Sequence, residues 1–190
     1  MRTSSKLITL LALLTLSSSA FAHPGHPYGG IGSGLLHPFS GLDHLLGMVA
    51  VGLWAAQGGA QRVWLLPATF MAVLAIGAGV ALFAPGLPLI ETGIAASVLV
   101  LGLILALAVK VPATLSIALT AAFGFVHGYA HGSEMPALAS PALYAAGFLI
   151  ATAALHVTGA VIGLQARARF ARWTQAGGAL IALAGVWMLA

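Results

Sequence analysis

Residues 63–83 read VWLLPATFMAVLAIGAGVALF, a run without a single charged side chain. It is bounded by Gln61-Arg62 on one side and by Ala84-Pro85-Gly86-Leu87-Pro88 on the other. An α-helix rises about 1.5 Å per residue, so roughly 20 apolar residues cross the hydrocarbon core of a bilayer. This stretch therefore predicts a membrane-spanning helix, and the rest of the chain repeats its pattern. Apolar runs separated by short polar or Pro/Gly breaks predict six spans, near Leu36–Ala56, Val63–Phe83, Leu89–Val109, Pro112–Ala130, Ala139–Leu164 and Trp173–Leu189. The expected fold is all-α: a polytopic bundle of six transmembrane helices over residues 36–190, with no soluble domain.

Composition agrees. The 190 residues are 61% hydrophobic and only 5% charged, whereas soluble domains carry about 25% charged residues. So few charges cannot cover a water-facing surface, and the lipid bilayer is the expected surrounding. With no cysteine there is neither disulfide nor thiolate ligand. The only lysines are Lys6 and Lys110 and no GxxxxGK loop is present, which argues against a nucleotide-driven pump. The excess of basic residues carries no nucleic-acid signal, because the counts on both sides are so small.

The chain begins with a processing signal. Arg2 and Lys6 form a basic start, Leu7 to Leu16 is an apolar run too short to span, and Ala20-Phe21-Ala22 is a small-residue cleavage site. Residues 1–22 are the expected signal peptide, an uncleaved anchor being the competing reading. The mature chain would start at His23, with 23–35 as a periplasmic tail. Arg62, Lys110, Arg167, Arg169 and Arg172 all fall in breaks after the first, third and fifth spans. The positive-inside rule puts those breaks in the cytoplasm and the mature N-terminus in the periplasm, in agreement with the signal peptide. A multi-pass protein of the bacterial inner membrane is the expected localisation.

Against this background the three acidic residues, Asp43, Glu91 and Glu134, stand out. Two of them lie in histidine clusters: His37-Pro38-Phe39-Ser40-Gly41-Leu42-Asp43-His44 and His127-Gly128-Tyr129-Ala130-His131-Gly132-Ser133-Glu134. Ionisable groups at membrane depth are costly and mark ion paths, proton relays or catalytic sites. Imidazole plus carboxylate without sulfur suits a borderline transition metal such as nickel or cobalt. Helical spacing puts His127, His131 and Glu134 on one face, and His37 and His44, seven apart, on another. Pro38 suits a first helical turn, and Gly41 a close helix approach. Asp43 is either a ligand or the partner of the other nitrogen of His44. His23 and His26, in the tail, are candidates for capturing metal. Two members are weaker: His156, deeper in the fifth span, reads equally as a hydrogen-bonded structural histidine, and Glu91 as a charge complementing a helix N-terminus. Gly159-xxx-Gly163 reads as helix packing.

At these clusters the sequence resembles the HupE/UreJ family of nickel/cobalt transport proteins, whose motifs take the forms HPxxGxDH and FHGxAHGxE. The first matches in full at His37–His44. The second matches at Val126–Glu134 except that Val126 stands where the family often has Phe. The resemblance implies a secondary permease of the bacterial inner membrane that supplies nickel to hydrogenase or urease, or cobalt to cobalamin synthesis. It carries a metal-binding role to His37, Asp43, His44, His127, His131 and Glu134, and it supports a histidine near the mature N-terminus.

The expectation is uptake of nickel or cobalt ions as substrate, with no resident cofactor, no nucleotide and no catalytic residue. Two rivals belong to other classes. A membrane-embedded zinc-dependent hydrolase would use the same ligands with help from Ser40 and Ser133, although no HExxH motif is present. A sensor would hold the metal without passing it. A proton pathway through the His/Glu pairs is a third possibility.

Overall fold

The computed structural model describes residues 30–59, 62–135, 140–169 and 171–190. The expected signal peptide, His23 and His26 lie outside the described residues. Among the described residues seven helices follow one another: α1 (Ile31–Ser40), α2 (Leu42–Gln57), α3 (Arg62–Phe83), α4 (Ile90–Ala106), α5 (Ala113–Ser133), α6 (Pro141–Arg169) and α7 (Ala171–Leu189). Among the described residues three stretches are long and apolar enough to cross a membrane, Val63–Phe83, Ala113–Ser133 and Pro141–Ala166, and the pair α1 and α2 makes a fourth if counted together. Helix α4 is equally apolar but shorter, at 17 residues.

The first expected span, Leu36–Ala56, is two helices rather than one. Between them the axis turns by 87°. Gly41 sits at the corner in extended conformation, φ −113° and ψ 124°. A Cβ there would come within 2.6 Å of Asp43 Oδ1, so the glycine serves the turn and the carboxylate instead of a helix contact. Pro38 falls near the end of α1 instead of in a first turn. Its ring removes the donor to residue 34 and weakens the helix just before the corner. Ser40 Oγ then donates to the His37 carbonyl at 2.6 Å, closing the last turn. The helix also begins earlier than expected, taking in Ile31 to Leu35 from the tail. A Gly-Ser-Gly segment has little helix propensity of its own, and packing supplies the difference. Gly34 lies directly against the Tyr144 carbonyl of α6, and Gly147 of α6 against the Ile31 carbonyl.

Helix α2 is the centre of the bundle. Almost every residue from Gly47 to Ala56 is buried, as expected for a helix apolar all round, and it packs on α3, α4, α6 and α7. The tightest contacts run through small residues. Gly124, Gly128 and Gly132 of α5 lie on the backbone of Phe70, Leu74 and Ala78 in α3, one glycine per turn, and the matching order makes the two helices parallel. The glycines between the motif histidines therefore serve helix approach. Gly159 and Gly163 of α6 pack in the same way on Val49 and Leu53 of α2. The pair α4 and α7 is antiparallel, with Gly102 on Ala182 and Gly178 on Leu105.

The outward faces of α3 and α7 are apolar: Trp64, Leu65 and Ile76 on one, Trp173, Leu180, Leu183 and Trp187 on the other. Trp64 and Trp173 lie at the end of the bundle where Arg62 and Arg172 open their helices and Lys110 joins α4 to α5, and Trp187 lies at the other end. Tryptophan near both ends of an apolar surface is the usual pattern at membrane interfaces.

Candidate metal centre

The corner at Gly41 and the end of α5 meet. From the corner come His37 and His44, and from α5 come His131 and its C-cap residue Glu134. One ligand atom from each of these four residues lies within 4.8 Å of all the others. His37 Nε2 stands 3.0 Å from Glu134 Oε2. Ring centroids are 4.3 Å apart for His44 and His131, 4.8 Å for His37 and His131 and 6.1 Å for His37 and His44. Metal–nitrogen bonds run to about 2.1 Å, so ligands opposite one another across an ion are about 4.2 Å apart. Ligands that are not opposite sit closer than this, so the four groups have to draw together around a first-row divalent ion.

Burial grades across the cage. Glu134 is exposed and His37 partly so, while His44 and His131 are buried. Both ring nitrogens of His131 are buried without a hydrogen-bond partner. The ring itself is fixed by stacking on Phe148, centroids 5.0 Å apart at 17°. Buried imidazole lone pairs with no protein partner cost free energy, and a cation reaching them from the exposed side at Glu134 would satisfy them.

Asp43 stands behind the cage. Its Oδ1 accepts the backbone N–H of His44 at 2.8 Å and lies 3.0 Å from His44 Nδ1. The carboxylate thus lies beside the ring at ion-pair distance, although neither ring nitrogen of His44 makes a hydrogen bond. Asp43→Asn keeps an oxygen for the backbone bond and removes the charge. It is expected to weaken nickel binding by about 10- to 100-fold while leaving the helical circular dichroism unchanged. Isothermal titration of purified protein with nickel checks this, and an affinity equal to wild type would sink it.

His127 shares a face with His131, as expected, but stands outside the four-residue cage. It is four residues back along α5, about 6 Å deeper, fully buried, with its ring 5.1 Å from that of His44. Its Nε2 is 2.9 Å from the Ser97 hydroxyl of α4. His156 lies deeper still, eight residues beyond Phe148 along α6, or about 12 Å. It is buried with neither ring nitrogen hydrogen-bonded. The Phe70 ring contacts both, with centroids 5.6 Å from His127 and 5.0 Å from His156. His37 and His44 do meet, but around the corner rather than along one helical face. Glu91, in the first turn of α4, stays outside the cage and lines a 450 Å³ cavity with Asp43, Thr92 and Trp187.

Some members gave no signal in the sequence. Ser97 is one hydroxyl in an apolar run, and Phe148 and Phe70 read as core. Tyr129 lies inside the second motif, where its role was open to notice: its hydroxyl donates to the Ala84 carbonyl at 2.6 Å and accepts the Leu87 N–H at 2.9 Å, clipping the α3–α4 loop to α5. The hydroxyls of Ser40 and Ser133 donate to the carbonyls of His37 and Ala130, so neither proton is directed at a substrate.

A second cavity, of 430 Å³, opens at the opposite end of the bundle between Trp54, Gln57, Lys110 and Gln175.

Residues 11–188 match the family model described as HupE / UreJ protein. The chain is 45% identical over 190 residues to Protein HupE of Rhizobium leguminosarum bv. viciae, an alignment covering 97% of each protein. No solved structure matches it.

Proposed function

The chain belongs to the HupE/UreJ family, and from that premise we propose that it carries nickel or cobalt ions inward across the bacterial inner membrane. The observation that supports this most strongly is the meeting of His37, His44, His131 and Glu134 from three helices at one end of an apolar bundle. In this reading α1 and α2 together count as the first of six spans, and the signal peptide is removed after Ala22. The cage then lies on the periplasmic side, with the basic residues in the cytoplasm. His23 and His26 of the mature N-terminus collect the ion, and the product supplies metalloenzymes such as hydrogenase or urease, or cobalamin synthesis.

The chemistry is ligand exchange. Glu134, exposed, offers the arriving ion its first charged oxygen. His37, His44 and His131 replace its water with imidazole nitrogen, for which nickel and cobalt are well suited. The ion moves inward by way of His127 and His156 toward the cavity at the far end. Glu91 and Asp43 add negative charge beside the cage. An interior-negative potential contributes roughly 2.3 kcal/mol per charge per 100 mV, so about 4.6 kcal/mol for a divalent ion, or about three orders of magnitude in concentration. No nucleotide is needed. Affinity must stay moderate, because a site that holds its ion too tightly cannot pass it on.

Reconstituted vesicles test the proposal. With an imposed interior-negative potential, nickel or cobalt is expected to accumulate in the lumen, and to accumulate less as the potential is collapsed. Binding without lumenal metal would make the protein a sensor. Zinc-dependent cleavage of a lipid or peptide, with no metal movement, would make it a hydrolase. Proton flux in the absence of metal would identify a proton pathway.

A further inference from the structure

Below the four-residue cage, the environment of His127 has its own logic. Ser97 is fully buried in α4, between apolar neighbours Ile94 and Val98. Its hydroxyl has one proton and two neighbours: the Ile94 carbonyl at 2.7 Å and His127 Nε2 at 2.9 Å. A carbonyl can only accept. With the hydroxyl proton on Ile94, the imidazole must donate through Nε2–H, and Nδ1 keeps its lone pair. Nδ1 is buried with no hydrogen-bond partner. In the opposite tautomer Nδ1 would carry a buried N–H with no acceptor, and the bond to Ile94 would be lost. That arrangement leaves a buried donor unsatisfied and turns a positive dipole toward an arriving cation.

The ring has little freedom to escape this choice. A Cβ built on Gly47 of α2 would lie 3.0 Å from His127 Cε1 and 3.2 Å from Nε2. The glycine thus admits the imidazole edge and holds it against Ser97. We propose that Ser97 is a positioning residue: it sets His127 as the Nε2–H tautomer and so presents Nδ1 as the next ligand inward of the cage. This rests on the transport reading for its purpose, but the tautomer is a property of the protein without metal. A histidine that ligates through one nitrogen and gives its other N–H to a fixed oxygen is the common arrangement at metal sites. Here the oxygen is a neutral hydroxyl. Asp43, behind His44, is a full carboxylate. A neutral partner adds no charge behind the inner histidine, which suits a ligand that passes an ion on rather than keeping it.

Nitrogen-15 spectra of histidine-labelled protein in detergent, recorded without metal, test the proposal, with His127 identified by the signals missing in His127→Gln. Wild-type His127 is expected as a single Nε2–H tautomer. Ser97→Ala is expected to give mixed tautomers and to lower nickel entry into vesicles about tenfold or more. A wild-type proton on Nδ1 overturns the positioning role even if nickel enters normally, and so does a Ser97→Ala variant with unchanged tautomer or unchanged entry. Failure of wild-type protein to move nickel at all overturns the transport reading, and with it the ligand role of Nδ1, while the tautomer result still stands or falls by its own spectrum.

Discussion

Alanine at His131 is expected to reduce nickel uptake by intact cells by at least about 100-fold at submicromolar metal. Residues that merely orient a ligand are worth roughly 10- to 100-fold in metal affinity, and His131 is itself one of the four groups that meet in the cage. It is also the most constrained, buried and stacked on Phe148. No neighbour can swing in to replace it, because His37 and His44 already face the same point. The substitution breaks no hydrogen bond of the ring but opens a cavity beside Phe148, so the amount of folded protein in the membrane has to be measured as well. Initial rates of radioactive nickel entry, normalised to protein detected in the membrane, check this. Alanine at His44 is expected to act similarly, with loss of the contact to Asp43 as well. Uptake unchanged in both variants at normal expression would falsify the cage as the entry site.

The largest structural effect is expected at Gly128. A Cβ there would press into the Leu74 carbonyl oxygen and lie 2.7 Å from Leu74 Cα. Backbone cannot turn aside as a flexible side chain can, so α3 and α5 would have to separate along their whole contact. Overpacking of this kind costs about 1–3 kcal/mol for an added methyl group, and more for a branched side chain. Gly128→Val is therefore expected to abolish a monodisperse folded protein, and Gly128→Ala to lower its melting temperature clearly. Gly79→Ala and Gly177→Ala serve as controls, since a Cβ at either position meets nothing within 4 Å. Melting curves of the detergent-solubilised proteins decide. Equal stability of Gly128→Val and Gly79→Ala would mean that the α3–α5 contact is not close.

These two effects separate what the glycines and histidines of the second motif do. His127 and His131 face His44, and His131 also His37, while Gly124, Gly128 and Gly132 face α3. In the sequence the two sets are interleaved, and spacing alone left the glycines to serve either a ligand or a neighbouring helix. The helix distributes them to different faces, and only the presence of α3 on one face tells which is which.

The first motif was less legible. A heptad separation of His37 and His44 suggests one continuous helical face, yet they belong to helices 87° apart. They meet because Gly41 is extended and α1 folds back over α6 through Gly34 and Gly147. Those contacts join residues more than a hundred positions apart, so local propensity over a Gly-Ser-Gly segment could not announce them. The same holds for Asp43. Its neighbour in sequence is its partner in space, but whether it faced the ion or the imidazole depended on how the corner turned.

The residue inventory by itself determined the solvent and the chemistry. A chain 61% hydrophobic and 5% charged has to bury its surface in lipid, and its helices must satisfy their own backbone there. Acids and histidines that remain in such a chain are too costly to be incidental. Composition could go no further, because hydropathy is a property of each residue alone and proximity is not. Only the tertiary structure brought His37, His44, His131 and Glu134 to one point, put Asp43 behind them, set Ser97 against His127 and left Glu91 at the side. Each of those outcomes follows from which helices run parallel and how closely their glycines let them approach.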